Sequence, residues 1–128
     1  MLKTYRRGGN VFVELNKSYR MYVPISDYLS VYRGHKPDIA LSTPTRVLLD
    51  TLISRRCILG LITDGRSVTQ RNKIAALGLE QYVSSDNMLI SEEFGSEKPC
   101  PDNYHHFELK YLGRQFCYME DNLQKDFA

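Results

Sequence analysis

Three places in this 128-residue chain carry polar groups of the kind that handle phosphate. Thr63, Asp64 and Gly65 follow the apolar run Ile58-Leu59-Gly60-Leu61-Ile62. Lys98 lies between Glu97 and Pro99. Glu120 and Asp121 close the stretch Gln115–Met119, and Asp126 follows five residues after Asp121. A hydroxyl and an ammonium hold phosphate oxygens and balance their charge. Carboxylates hold Mg²⁺, a hard cation that prefers oxygen ligands. The backbone N–H groups of Asp64 and Gly65, ahead of a helix, can add to phosphate binding. Each residue also has a plainer role. Asp64-Gly65 is an ordinary turn pair, Thr63 can satisfy a strand end, and Lys98 can pair with Glu93 or Glu97 at the surface. Asp121 and Asp126 can simply favour a helix start.

These groups converge only if the intervening chain brings three strand ends together. The apolar run Cys57–Ile62 predicts a first strand, Met88-Leu89-Ile90 a second and Gln115–Met119 a third. Between the first two, Ser67 and Gln70 have capping-box spacing, Ile74 and Leu77 can face a sheet, and Gly78 is a natural helix end. Glu92–Pro99 reads as a loop. Pro101 opens another helix, with Tyr104, Phe107, Tyr111 and Leu112 on one face and Gly113 at its end. Upstream, Thr43-Pro44 opens a helix with Thr43 as cap and with Val47, Leu48, Leu52 and Ile53 as its apolar stripe. Strands about 27–30 residues apart with helices between them fit parallel pairing through right-handed crossovers. In such sheets, chemistry gathers at the carboxyl ends of the strands.

Residues 10–33 predict helical pieces. Phe12, Leu15 and Tyr19 fall at helical spacing, and Ser26 can cap a short helix that carries Leu29 and Tyr32 and stops before Gly34. A competing reading is a strand at Val11–Leu15, where apolar positions alternate. The polar His35-Lys36-Pro37-Asp38 marks a boundary near residue 37.

Composition sets the outer bounds. Hydrophobic residues make up 42% and charged residues 25%, which is ordinary for one globular domain. No apolar run is long enough to span a membrane, and no apolar segment of the signal-peptide kind follows the basic N-terminus. Cys57, Cys100 and Cys117 lack metal-ligand spacing and read as reduced thiols, which predicts a cytoplasmic protein. Residues 1–36 carry a net charge of +5 and the rest −3. The basic residues are scattered and no nucleic-acid motif accompanies them, so neither a nucleic-acid nor a membrane partner is predicted.

Taken together, ITDGR…QRNKIAALGLE, ISEEFGSEKP and YMEDNLQKDF resemble the haloacid dehalogenase-like (HAD) hydrolase superfamily over about residues 35–128. The resemblance matches Thr63 to the family's strand-end Ser/Thr, Lys98 to its lysine before a helix, and Asp121 and Asp126 to its acidic pair. It implies Mg²⁺-dependent phosphate ester hydrolysis of a small phosphorylated substrate. Lys98 is then catalytic and phosphate-binding, Thr63, Asp64 and Gly65 bind phosphate, and Glu120, Asp121 and Asp126 hold the metal. The implied fold class is α/β, a Rossmann-like parallel sheet of the HAD type, incomplete, with residues 1–36 as a small helical cap-domain remnant and 37–128 as a partial core.

Two departures stand out. Glu120 stands where many members have glycine. The family's Asp-x-Asp, which supplies the nucleophile and the general acid/base, occurs nowhere in the 128 residues. The expectation is a phosphatase-type fragment, inactive alone, whose missing central strand leaves sheet edges open. Val11–Leu15 could fill that gap, within the chain or by exchange in a homodimer. The alternative is a non-catalytic, pseudophosphatase-like module that binds phosphate or a protein.

Overall fold

The computed structural model describes residues 8–120. Asp121 and Asp126, and the last helical turn expected before Ala128, lie outside the described residues. The chain divides into two compact units, Met1–His35 and Lys36–Ala128.

The first unit is a pair of helices, α1 (Val11–Tyr19) and α2 (Ile25–Gly34). Asn10 starts α1 because its side-chain oxygen accepts from the N–H groups of Phe12 at 2.9 Å and Val13 at 3.3 Å, two donors that the first turn leaves without helical partners. The strand alternative over Val11–Leu15 therefore does not form, and this segment offers no ladder to a sheet. Phe12 stacks on Tyr28 with ring centroids 5.3 Å apart. Asn16 clamps the turn between the helices: its amide donates to the Val23 carbonyl at 2.8 Å and its oxygen accepts from the Tyr28 hydroxyl at 2.8 Å. Ser26 is not the cap of α2. The helix begins one residue earlier, directly after Pro24, and makes no side-chain capping bond.

The second unit opens with α3 (Thr43–Ser54). Its cap is Ser42 rather than Thr43. The Ser42 hydroxyl accepts from the Thr45 N–H at 3.2 Å, and Pro44 falls in the first turn, where its missing donor costs nothing. Two strands follow, β1 (Leu61–Thr63) and β2 (Met88–Ile90), paired in parallel with Leu61 opposite Met88, Ile62 opposite Leu89 and Thr63 opposite Ile90. The fold is thus mixed α/β, with a two-stranded parallel sheet among the described residues. β1 starts later than its apolar run because a strand extends only as far as its partner, and β2 is three residues long.

Between the strands lies α4 (Ser67–Leu77), closed by Gly78 in the left-handed conformation at φ 63°. After β2 comes a single turn, α5 (Ser91–Phe94), where a loop was expected, and then α6 (Asp102–Lys110). The expected third strand, Gln115–Met119, does not form, and residues 114–120 are irregular. A strand needs a neighbouring ladder as well as apolar residues, and no described segment presents one there. Phe116 and Met119 accordingly remain 51% and 69% exposed.

The core is small. Ile74, Val83, Met88 and Ile90 form it, with Leu59, Leu61, Leu79 and Tyr82 packed around. Gly60 lets α6 approach, since a Cβ there would lie 2.8 Å from the Phe107 ring. Buried Asn87 ties the layers together. Its amide donates to the Leu59 carbonyl at 3.2 Å, and its oxygen accepts from Lys110 Nζ at 2.9 Å and the Tyr111 hydroxyl at 2.7 Å. Asn87→Ala strips three groups of a partner and is expected to lower stability by about 2 kcal/mol, read as a shifted urea midpoint. Among the described residues no helix is long and apolar enough to cross a membrane.

Candidate functional site

Thr63 ends β1, where the chain leaves the sheet and must satisfy its polar groups locally. Its hydroxyl donates to Gln70 Oε1 at 3.0 Å, and Gln70 Nε2 donates to the Asp64 carbonyl at 3.1 Å. Gln70 thus reaches back from the first turn of α4 and holds the strand end, instead of completing a capping box with Ser67. The Ser67 N–H is taken by Glu92 Oε2 at 2.7 Å. Gly65 has φ 135°, and a Cβ there would fall 2.6 Å from Gln70 Nε2. No other residue fits this turn without strain. The Gly65 N–H donates to Ser91 Oγ at 2.9 Å, which ties the end of β1 to the end of β2.

Lys98 joins this group from its own loop. Its backbone N–H donates to Asp64 Oδ1 at 3.0 Å. Its ammonium donates to Glu120 Oε2 at 2.7 Å, with the two side chains only 9% and 21% exposed. The Tyr118 hydroxyl donates to the same Glu120 oxygen at 3.3 Å, and the Tyr118 ring meets Tyr104 edge-on at 5.1 Å. Burial pushes the Tyr118 phenol up to about 12 against the opposing pull of the Lys98 charge, so at neutral pH it stays a donor.

Five of the seven residues singled out from sequence therefore meet: hydrogen bonds link Thr63, Asp64, Lys98 and Glu120, with Gln70 between the first two, and Gly65 adjoins them in the chain, while Asp121 and Asp126 lie outside the described residues. The surface pairing of Lys98 with Glu93 or Glu97 is not what its ammonium makes. Glu93 is held instead by the fork of Arg71, at 3.0 Å from Nε and 2.6 Å from Nη2. Arg71, followed by Ser67, draws the Glu93 carboxyl below its ordinary value. That contribution to stability is present above about pH 4.5 and is lost as pH falls through the lower folded-state value. Glu93→Gln is accordingly expected to shift the urea midpoint at pH 7 and to converge on the parent protein in strong acid.

Beside Gly65 lies an open cleft of about 310 Å³ lined by Gly65, Arg66, Ser91, Glu92 and Glu97. Four of these five residues have charged or polar side chains, and two of them, Arg66 and Glu92, are ion-paired. The carboxylates of Asp64 and Glu120 are oxygen donors of the type Mg²⁺ takes. Among the described residues, however, no three His, Cys, Asp or Glu side chains gather into a metal-holding group. The site's oxygens fit such an ion in kind, and a full ligand set needs more than these two.

Gln70, Ser91 and Tyr118 are the participants that sequence reasoning missed. Ser91 carried a usable signal, as a polar residue directly after the second apolar run. Gln70 was attributed to the cap of its own helix, and Tyr118 to a strand.

Over 98 residues the chain is 32% identical to the glyceraldehyde 3-phosphate phosphatase of Methanocaldococcus jannaschii, a match covering 72% of this chain and 42% of that protein. The chain thus spans less than half the length of this relative. No protein-family model matches the chain, and no solved structure matches it.

Proposed function

We propose that residues 36–128 are the phosphate-holding part of a phosphatase-type hydrolase of the haloacid dehalogenase-like kind, acting on a small phosphorylated molecule. The observation that carries this reading is the position of Lys98. Its backbone N–H is bonded to Asp64 after β1 and its nearly buried ammonium to Glu120, so the loop that carries this cation is tied to the end of the strand. Similarity to a phosphatase over most of the chain supports it.

In this reading the Thr63 hydroxyl and the N–H groups of Asp64 and Gly65 receive phosphate oxygens, and Lys98 balances the charge that builds on them during transfer. The Thr63 hydroxyl and the Gly65 N–H exchange their present partners, Gln70 and Ser91, for the ligand. Mg²⁺ would be held by the carboxylates of Asp121 and Asp126, where it would neutralise phosphoryl charge. The chain contains no Asp-x-Asp pair to supply a nucleophile, which favours binding without turnover.

The test is calorimetric titration of the 128-residue chain with inorganic phosphate, with and without Mg²⁺, alongside an aryl phosphate assay. Binding that is lost in Lys98→Ala, without turnover, is the expected result. No binding at millimolar phosphate rejects the phosphate-holding role. Mg²⁺-dependent turnover abolished by Asp121→Ala rejects inactivity.

A further inference from the structure

A nearly buried ammonium cannot wait for its ligand unpaired, because desolvating a lone charge is too costly. Lys98 is 9% exposed, and its Nζ is engaged by Glu120 Oε2 at 2.7 Å. The same oxygen also accepts from Tyr118 at 3.3 Å, so among the described residues a charged and a neutral donor of unequal strength share it. Any dianion that draws on the Lys98 charge meets the Glu120 carboxylate as a rival of like sign.

We propose that Glu120 is a resident counter-ion for Lys98 that opposes phosphate binding, and that the Tyr118 hydroxyl keeps the carboxylate satisfied when the ammonium turns toward the incoming anion. The proposal rests on the phosphate-holding reading of Lys98 above. It gives Glu120 a task of its own, competing with the ligand, apart from the metal-holding role proposed for Asp121 and Asp126. It also gives Tyr118 a task that its position at the end of an apolar stretch does not suggest. As a positioning residue, Tyr118 acts through Glu120 and does not touch the phosphate.

The two side chains then have opposite effects, which a purely structural role would not produce. Calorimetric titration with inorganic phosphate is made on the parent chain, on Glu120→Gln, on Tyr118→Phe and on the double variant. Glu120→Gln keeps the shape of the side chain and removes the rival charge. Its phosphate Kd is expected to fall about tenfold, the scale of one partly screened like-charge contact. Tyr118→Phe raises the parent Kd about threefold, as befits one neutral hydrogen bond. In the Glu120→Gln background it changes little, because no charge then needs the hydroxyl.

If the parent binds phosphate and Glu120→Gln binds it no tighter, the counter-ion role is overturned while the phosphate-holding role stands. If neither binds, the phosphate-holding role falls and this inference falls with it. Should Glu120→Gln fail to fold, Tyr118→Phe decides, and unchanged or tighter binding overturns the proposal.

Discussion

Ile90→Ala is expected to lower the unfolding free energy by about 3–4 kcal/mol, the range for truncating a fully enclosed aliphatic side chain that leaves a cavity. Ile90 is 0% exposed and sits where β2 meets Ile74, Val83 and Met88. Few other buried residues share the load, so the loss is a large fraction of what a marginal domain of this size has. Urea denaturation followed by circular dichroism checks it. The parent should give one cooperative transition for the second unit, and the variant should be largely unfolded without denaturant. A midpoint within about 1 kcal/mol of the parent, by linear extrapolation, would show that stability resides elsewhere. Ile90→Val, which leaves a smaller void, should cost only about 1 kcal/mol.

The second large effect lies at Lys98. Lys98→Ala removes a charge that compensates Glu120 at Oε2, the oxygen that also accepts from Tyr118. Breaking an enclosed pair from one side costs about 3–5 kcal/mol, and the 21% exposure of Glu120 reduces this to about 2 kcal/mol through solvent access. Lys98→Met combined with Glu120→Gln removes both charges and keeps the volume. It should recover most of the stability, because a desolvated ion pair adds little net energy over neutral packing. Neither Lys98 variant should bind phosphate. The pair of measurements therefore separates a group that matters for folding from one that matters for its charge. Recovery of most of the stability with no recovery of phosphate binding is the expected result. A double variant as unstable as Lys98→Ala would mean that the lysine stem, rather than its charge, holds the loop.

What could be read from the sequence follows the range of the interactions. Met88–Ile90 was legible as a strand because a short apolar run between polar neighbours is a local pattern, and Gly78 as a helix end because the left-handed cap asks for glycine. The convergence of Thr63, Asp64 and Lys98 was legible from the order of polar groups after apolar runs. The partner of each group was not. Gln70 has the right spacing to cap its own helix, yet Glu92, distant in sequence, takes the Ser67 N–H and frees Gln70 to hold Thr63. Lys98 has two glutamates nearby in sequence, yet the one it binds is 22 residues away. Gln115–Met119 has a strand's composition, but a ladder is a property of two segments, and composition reports only one. Asn10 outweighed the alternation at Val11–Leu15 because two capping bonds decide a short segment more firmly than its apolar pattern does.

The parallel pairing of β1 with β2 has a kinetic side. The intervening chain must fold back before a single ladder bond can form, so α4 has time to form first from local bonds. The ties at the site span similar or greater separations, 26 residues from Gly65 to Ser91 and 34 from Lys98 to Asp64. They close only once the ladder exists, and they are the first to open when it loosens. Hydrogen exchange at the Gly65 and Lys98 amides would therefore follow the assembled state of the site directly, residue by residue, whether or not a ligand is known.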